Sequence, residues 1–229
     1  MLEIVCVVPG RAETWLVEAV LEGSPAGPVD ECVAARMLEL DGDSLRFRHE
    51  IARVSVEGEL SPMRRRELDG RVLAVLADRP GVDPARVVHH ARRAGDAPAV
   101  LAAAPGAAHA AAVAGAHAQS ADHLRAALEA VGDDPSEQRA ELLEGLSEQA
   151  YLSGGPDEAL STRREALAIR TSLGQIAAAG EDERWLSRLL WWAGQREASE
   201  AAAAIWPSEV RIASASRRVD SASSGPPDR

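Results

Sequence analysis

Three glycines recur at nearly equal spacing in the second half of the chain and limit what it can fold into. Gly115, Gly154 and Gly194 lie 39 and 40 residues apart, and each follows one run of helical spacing and precedes another. Glycine readily adopts the left-handed backbone conformation that ends many helices. A fixed period of this length is typical of stacked helical hairpins. We therefore predict an array of such hairpins over residues 97–206.

Small residues and apolar stripes support the pairing of these helices. Ser120 and Ala127 lie seven residues apart after the first glycine, and Ala159 and Ala166 have the same spacing after the second. Small side chains let the two helices of a hairpin approach closely. The array resembles tetratricopeptide repeats, although its period exceeds their standard length of about 34 residues. The predicted apolar faces comprise Leu124, Ala127, Leu128 and Val131; Leu142, Leu146 and Ala150; and Leu186, Leu189, Leu190 and Ala193.

The first segment, residues 1–80, has the layout of a winged-helix-like module. Helical spacing over residues 13–21 and 29–37 is followed by the one convincing β pattern, in which Leu38 and Leu40, then Leu45 and Phe47, alternate with polar residues around an Asp-Gly turn. Ser-Pro at residues 61–62 and Asp-Pro at 83–84 begin two further helices. Residues 81–96 are predicted to form a connecting helix that ends at Gly95. The expected fold class is mainly α, with one small β-hairpin.

Composition and charge exclude several classes of protein. The formal net charge of −11 and pI near 5.1 oppose binding to nucleic acid or to an anionic membrane. The basic runs at residues 64–66 and 92–93 are expected on solvated helix faces. The uncharged stretch 97–121 is rich in alanine and interrupted by Pro98, Pro105 and Gly106, so we expect no membrane span there. Residues 207–229 lack periodicity and are predicted to be disordered.

The N-terminal residues and the two cysteines indicate a cytoplasmic protein. The first ten residues carry an acidic side chain where a signal peptide needs basic ones, and their apolar run is short. Cys6 and Cys32 lie in apolar surroundings without a metal-binding spacing, so buried free thiols are expected.

The chain offers no recognisable catalytic or cofactor motif. It contains no lysine, which excludes a standard P-loop, and it has neither a GxSxG nor an HExxH motif. His89 and His90 are adjacent and should point to different faces of a helix, while His117 and His123 are six residues apart. We therefore predict no enzyme activity, no cofactor and no metal site.

Three tryptophans near the end of the array are candidates for partner binding. Trp185, Trp191 and Trp192 are close together in the sequence and would line a peptide or ligand groove if they lay on the surface. The alternative is that they pack in the core, as aromatic residues at helical spacing more often do.

Several blocks of sequence, in order, resemble a known family. They are residues 47–50 (Phe-Arg-His-Glu), 61–68 (Ser-Pro-Met-Arg-Arg-Arg-Glu-Leu), 88–96 (Val-His-His-Ala-Arg-Arg-Ala-Gly-Asp) and 184–194 (Arg-Trp-Leu-Ser-Arg-Leu-Leu-Trp-Trp-Ala-Gly). The resemblance is to the middle of the large ATP-binding transcriptional regulators of the LuxR type. In those regulators a STAND-class ATPase precedes a winged helix, a tetratricopeptide-like sensor and a helix-turn-helix.

The resemblance implies a non-catalytic signal-sensing or scaffold segment without the P-loop and the helix-turn-helix. Its repeats would bind a protein or a small inducer, and it would work with a separately encoded ATPase or DNA-binding part unless it is a truncated reading frame. A free-standing repeat adaptor is the alternative, and an unrelated enzyme a more distant one.

His49 is the residue with the most specific implied role. By the resemblance it matches the histidine of the Met-His-Asp type motif with which STAND winged helices touch the β-phosphate of ADP. The other interpretation is a histidine that merely caps a helix. Because one imidazole cannot replace a P-loop, we expect His49 to be a vestigial nucleotide sensor.

Overall fold

The computed structural model describes residues 1–21, 23–195 and 197–200. The chain divides into two compact units, residues 1–107 and residues from 108 onward. The expected disordered tail, residues 207–229, lies outside the described residues.

The first unit begins with a short buried helix that the sequence patterns did not reveal. Helix α1 (Leu2–Val7) is followed by strand β1 (Ala12–Glu13), helix α2 (Thr14–Leu21) and helix α3 (Ala26–Ala34). Residues 4–8 are all buried, so packing against the rest of the unit overrides the preference of β-branched residues for strands. Burial raises the pKa of the Cys6 thiol to about 11. Cys6 is thus a buried free thiol as expected, whereas Cys32 is free but only half-buried.

The predicted hairpin is present and belongs to a slightly larger sheet. Strands β2 (Leu38–Asp41) and β3 (Ser44–Phe47) pair antiparallel, and Gly42 at their turn has a φ of 60°. Strand β1 pairs with the other edge of β3 and gives the order β1-β3-β2. Two residues are too few to produce an alternating pattern, so the third strand was not predictable from periodicity.

Helices α4 (Glu50–Glu59), α5 (Pro62–Ala77) and α6 (Pro84–Ala94) complete the described part of this unit apart from the start of α7. The predicted caps are confirmed: the Ser61 hydroxyl accepts from the backbone N–H of Arg64, and the Asp83 carboxylate accepts from that of Ala85. Gly95 ends α6 in the left-handed conformation, with a φ of 74°. The core of the unit includes Ile4, Val5, Val7, Ala12, Leu16, Val17, Val20, Leu38, Leu45, Leu68, Val72 and Leu76.

Helix α7 (Ala97–Val113) continues through Pro105, contrary to the interruption expected there. A proline inside a helix removes one hydrogen bond, but alanine, the strongest helix former, is abundant on both sides of it. Among the described residues, no helix has the length and apolar character needed to cross a membrane.

The second unit is the predicted array of helical hairpins. After α7 come α8 (His117–Val131), α9 (Glu137–Leu152), α10 (Pro156–Ser172) and α11 (Ile176–Trp192), and α8 packs on α9, α9 on α10 and α10 on α11. Gly115, Gly154 and Gly194 all have φ between 75° and 87° and end their helices as predicted.

One hydrogen bond recurs around each of these three glycines, between the residue seven before it and the residue five after it. The Ser120 hydroxyl donates to the carbonyl of Ala108, Ser147 to Ala159, and Ser199 to Ser187, each at 2.8 Å. A side chain can reach the opposite backbone at this distance only if both helices carry small residues at the crossing. The small residues Ser120 and Ala159, singled out from the sequence, therefore lie where the two helices of their hairpins approach closely.

A buried ion pair joins three helices of the array. The Arg163 guanidinium on α10 lies 2.7 Å from the Asp182 carboxylate on α11 and donates to the backbone carbonyl of Glu144 on α9 at 3.0 Å. The side chains of Arg163 and Asp182 are only 6% and 1% exposed. Burial raises the pKa of Asp182, and the hydrogen bond from Arg163 opposes that rise.

We predict that Arg163→Ala lowers the free energy of unfolding by about 3–5 kcal/mol, because it leaves the Asp182 charge buried without a cation. Arg11→Ala is the matched control, since the Arg11–Asp41 pair has a similar distance of 2.8 Å but is 58% and 46% exposed. Its loss should cost less than about 1 kcal/mol. Urea unfolding followed by circular dichroism measures both, and equal losses in the two variants would contradict the prediction.

Candidate functional site

The three tryptophans proposed for partner binding have different surroundings. Trp191 and Trp192, at the end of α11, are 55% and 51% exposed. Trp185, nearly two turns earlier, is half-buried, and the guanidinium groups of Arg163 and Arg188 each lie 5.4 Å from the centre of its ring. The structure therefore separates a surface pair, Trp191 and Trp192, from Trp185, which packs beside the buried ion pair.

Two residues of helix α9 extend the surface pair. The rings of Tyr151 and Trp192 stack with centres 4.7 Å apart and planes inclined by 19°. Leu152, next to Tyr151, is 48% exposed. We call these four residues, Tyr151, Leu152, Trp191 and Trp192, the edge cluster. Helix α10 lies between α9 and α11 in the sequence and brings the chain back, so the last residues of α9 and α11 lie next to each other.

Sequence analysis missed the part played by Tyr151 and Leu152. They lie three and two residues before the glycine that ends their helix, and Trp191 and Trp192 occupy the same positions before the next one. Equivalent positions in successive repeats stack along an array. Comparing the residues before each glycine would have revealed the cluster.

His49 precedes helix α4, as the sequence suggested. Its backbone is extended at the N-cap, and its carbonyl accepts from the N–H of Ala52 at 3.0 Å. The side chain is exposed and makes no capping hydrogen bond. The imidazole therefore does not cap the helix, and its assignment as a nucleotide-sensor position remains an expectation from the resemblance.

A second group of polar residues lies inside the first unit, where three helices meet. The Asp69 carboxylate on α5 lies 2.8 Å from Nδ1 of His90 and accepts from Nε of Arg93 at 2.9 Å. Arg93 also donates to Glu57 on α4 at 2.8 Å, and this hydrogen bond is the main reason why the pKa of Glu57 is lowered. Asp69 and His90 are fully buried. We call Glu57, Asp69, His89, His90 and Arg93 the buried polar cluster.

The basic runs take part in this packing rather than forming only solvated faces. Arg65 donates to the backbone carbonyl of Glu57 at 2.8 Å, and Arg64 pairs with Glu3 at 2.8 Å. With Arg93 held between two carboxylates, these cations have partners within the unit. The expectation of solvated faces was therefore wrong for Arg93.

The adjacent histidines are also closer to each other than the helical pattern suggested. The rings of His89 and His90 lie 4.9 Å apart, centre to centre, at nearly a right angle. One ligand atom from each of Asp69, His89 and His90 lies within 4.8 Å of the other two. The premise that neighbouring positions on a helix keep two imidazoles apart was wrong here.

Comparison with known proteins gives structural likenesses at low identity. No protein-family model and no curated protein matches the chain. BtubC (BKLC) from P. vanneervenii has a TM-score of 0.45 and 17% identity, covering 93% of this chain and 95% of that one. The "kinesin light chain nearly identical TPR-like repeats" of Podosopora anserina have a TM-score of 0.42 and 17% identity, covering 74% of this chain and 94% of theirs.

A further similar structure is a Signal Transduction ATPase with Numerous Domains (STAND) protein with a tetratricopeptide repeat sensor, from Pyrococcus horikoshii. Its TM-score is 0.37 and its identity 14%, with 84% of this chain and 41% of that chain covered. The second unit is itself a tetratricopeptide-like helical array, in which one hydrogen bond recurs around each of three left-handed glycines.

Proposed function

We propose that this chain is a non-catalytic interaction segment whose helical repeats bind a protein partner through the edge cluster. The observation that carries the proposal is the stack of Tyr151 on Trp192, flanked by the exposed side chains of Leu152 and Trp191. Single exposed apolar side chains are ordinary on a protein surface. Large apolar side chains from two helices that lie together at the surface, in contrast, are typical of interaction sites.

Tryptophan and tyrosine are well suited to this role. They bury a large area with few rotatable bonds, and both are enriched among the residues that dominate binding energy. The stack also fixes the Trp192 ring before a partner arrives, so less conformational freedom is lost on binding. The edge cluster thus offers a preorganised aromatic surface on a rigid pair of helices.

The sequence blocks support a more specific role within a transcriptional regulator of the LuxR type. In that role the repeats receive a protein or a small inducer, and the winged-helix-like first segment passes the signal to a separately encoded ATPase or DNA-binding part. The blocks at residues 47–50, 61–68 and 88–96 support this role, since they occur in the expected order. The alternative is a free-standing adaptor. A neighbouring open reading frame that encodes a P-loop or a helix-turn-helix would favour the regulator over this adaptor.

We predict that Trp191→Ala/Trp192→Ala loses partner binding, because it removes the two largest exposed rings of the edge cluster. Affinity capture from the native host with the wild-type chain identifies a partner, which is then purified. Titration of that partner should give at least a roughly tenfold weaker dissociation constant for the double variant, as expected when two aromatic anchors are lost.

Met63→Ala is the matched control, since Met63 is an apolar side chain of the first unit that is 84% exposed. It should bind as the wild type does. Circular dichroism confirms that both variants are folded. Equal affinity of the double variant and the wild type would contradict the proposed surface.

We also predict that the chain binds no ADP. His49 is an exposed side chain at one helix start, and a chain without lysine lacks the residue that reaches the phosphates in a P-loop. Titration calorimetry with ADP and Mg²⁺ should show no heat of binding. A micromolar dissociation constant that is lost in His49→Ala would restore a nucleotide-binding function.

A further inference from the structure

The buried polar cluster holds a nitrogen lone pair that protein contacts leave unused. The Asp69 carboxylate lies 2.8 Å from Nδ1 of His90 and accepts a hydrogen bond from Arg93, so Nδ1 is the nitrogen that donates to it. In the tautomer that makes this hydrogen bond, the other ring nitrogen, Nε2, carries the lone pair. Within the part of the chain that the structure describes, this buried nitrogen has no hydrogen-bond partner. A buried acceptor without a donor costs free energy, so its retention in a packed interior points to a ligand.

The arrangement matches the way proteins prepare histidine to bind metal. A metal-binding histidine commonly donates its second N–H to a carboxylate, which fixes the orientation of the ring and raises its basicity. Asp69 does this for His90. Asp69 is itself held by Arg93, whose guanidinium is shared with Glu57, so the carboxylate cannot turn away from the ring.

His89 supplies a second nitrogen next to the first. Its ring lies 4.9 Å from that of His90, centre to centre, with the two planes at nearly a right angle. His89 is half-buried, whereas His90 is fully buried.

The separations fit a single ion. Zinc binds nitrogen and oxygen at about 2.0–2.2 Å, so two atoms on one ion lie at most about 4.4 Å apart. The candidate ligand atoms of Asp69, His89 and His90 all lie within 4.8 Å of one another. These separations are close to that limit, so rotation of the side chains would bring two imidazole nitrogens onto one ion.

The positive charge of Arg93 is balanced by neighbouring carboxylates. Its guanidinium lies between the carboxylates of Asp69 and Glu57, which outnumber it two to one. Arg53 and Arg65 approach Glu57 rather than Asp69. The charge of Arg93 beside His90 is therefore shared between two carboxylates.

We propose that His89 and His90 bind one divalent transition-metal ion of the zinc type, with Asp69 holding His90 in the orientation for binding. Imidazole nitrogens suit Zn²⁺, Ni²⁺ and Cu²⁺ and exclude Mg²⁺ and Ca²⁺, which prefer oxygen ligands. Since His89 and His90 lie on α6 and Asp69 on α5, the ion stabilises the packing of these two helices.

The test uses the full chain, dialysed against chelator and kept reduced. Zn²⁺ is titrated in competition with a chromophoric chelator, and Co²⁺ serves as a spectroscopic probe of the ligands. We expect one equivalent of Zn²⁺ at a micromolar dissociation constant, and a melting temperature that rises with the ion. His89→Ala, at a half-buried position, should weaken binding at least roughly tenfold and abolish the thermal shift.

His49→Ala is the matched control, because it removes an exposed histidine and should leave binding unchanged. Asp69→Asn should weaken binding if it folds, and His89→Ala decides the question if it does not. The proposal is overturned if no stoichiometric binding occurs, if His89→Ala binds as the wild type does, or if the Co²⁺ spectrum shows a thiolate band from Cys6 or Cys32.

Discussion

The close approach of two helices at a pair of small residues is the contact on which the repeat array depends. In the central hairpin the Ser147 hydroxyl reaches the carbonyl of Ala159, and the same bond recurs in the hairpins on either side. A larger side chain at either position would push α9 and α10 apart. Arg163 could then no longer span from the Glu144 carbonyl to Asp182, because that bridge requires three helices at fixed separations.

The edge cluster is a consequence of that spacing. Helices α9 and α11 run in the same direction because each is joined to α10 by a tight turn, so their last residues lie side by side. Tyr151 and Trp192 stack for this reason, and the residues beside them remain exposed. The hydrogen bonds and ion pairs inside the array thus have a direct effect on its surface, since they fix the helix positions at which two aromatic rings stack.

In the first unit, ion pairs between side chains fix how the helices pack, whereas in the array small residues allow the helices to pack closely. None of the ten residues of α4 is fully buried. Two of them, Arg53 and Glu57, form an ion pair with each other. Glu57 reaches Arg93, and Arg93 reaches Asp69, which orients His90. Removing one partner would leave the buried Asp69 carboxylate without its cation, so these ion pairs favour the observed packing of α4, α5 and α6. That packing places His89 and His90 together beside Asp69.

Features that depend on neighbouring residues were determined by the sequence itself. A left-handed glycine ends a helix, Ser-Pro and Asp-Pro begin one, and Asp-Gly turns a hairpin, because each acts through backbone conformation over a few residues. The exposure of a tryptophan is different, since the same helical spacing fits a core or a surface position. Trp185 and Trp192 differ in exposure only because α10 packs beside Trp185 and leaves Trp192 at the edge of the array. The pairing of Asp69 with His90, across 21 residues, was likewise decided by how α5 packs on α6. Such contacts depend on the distance between helices, which no local pattern of residues encodes.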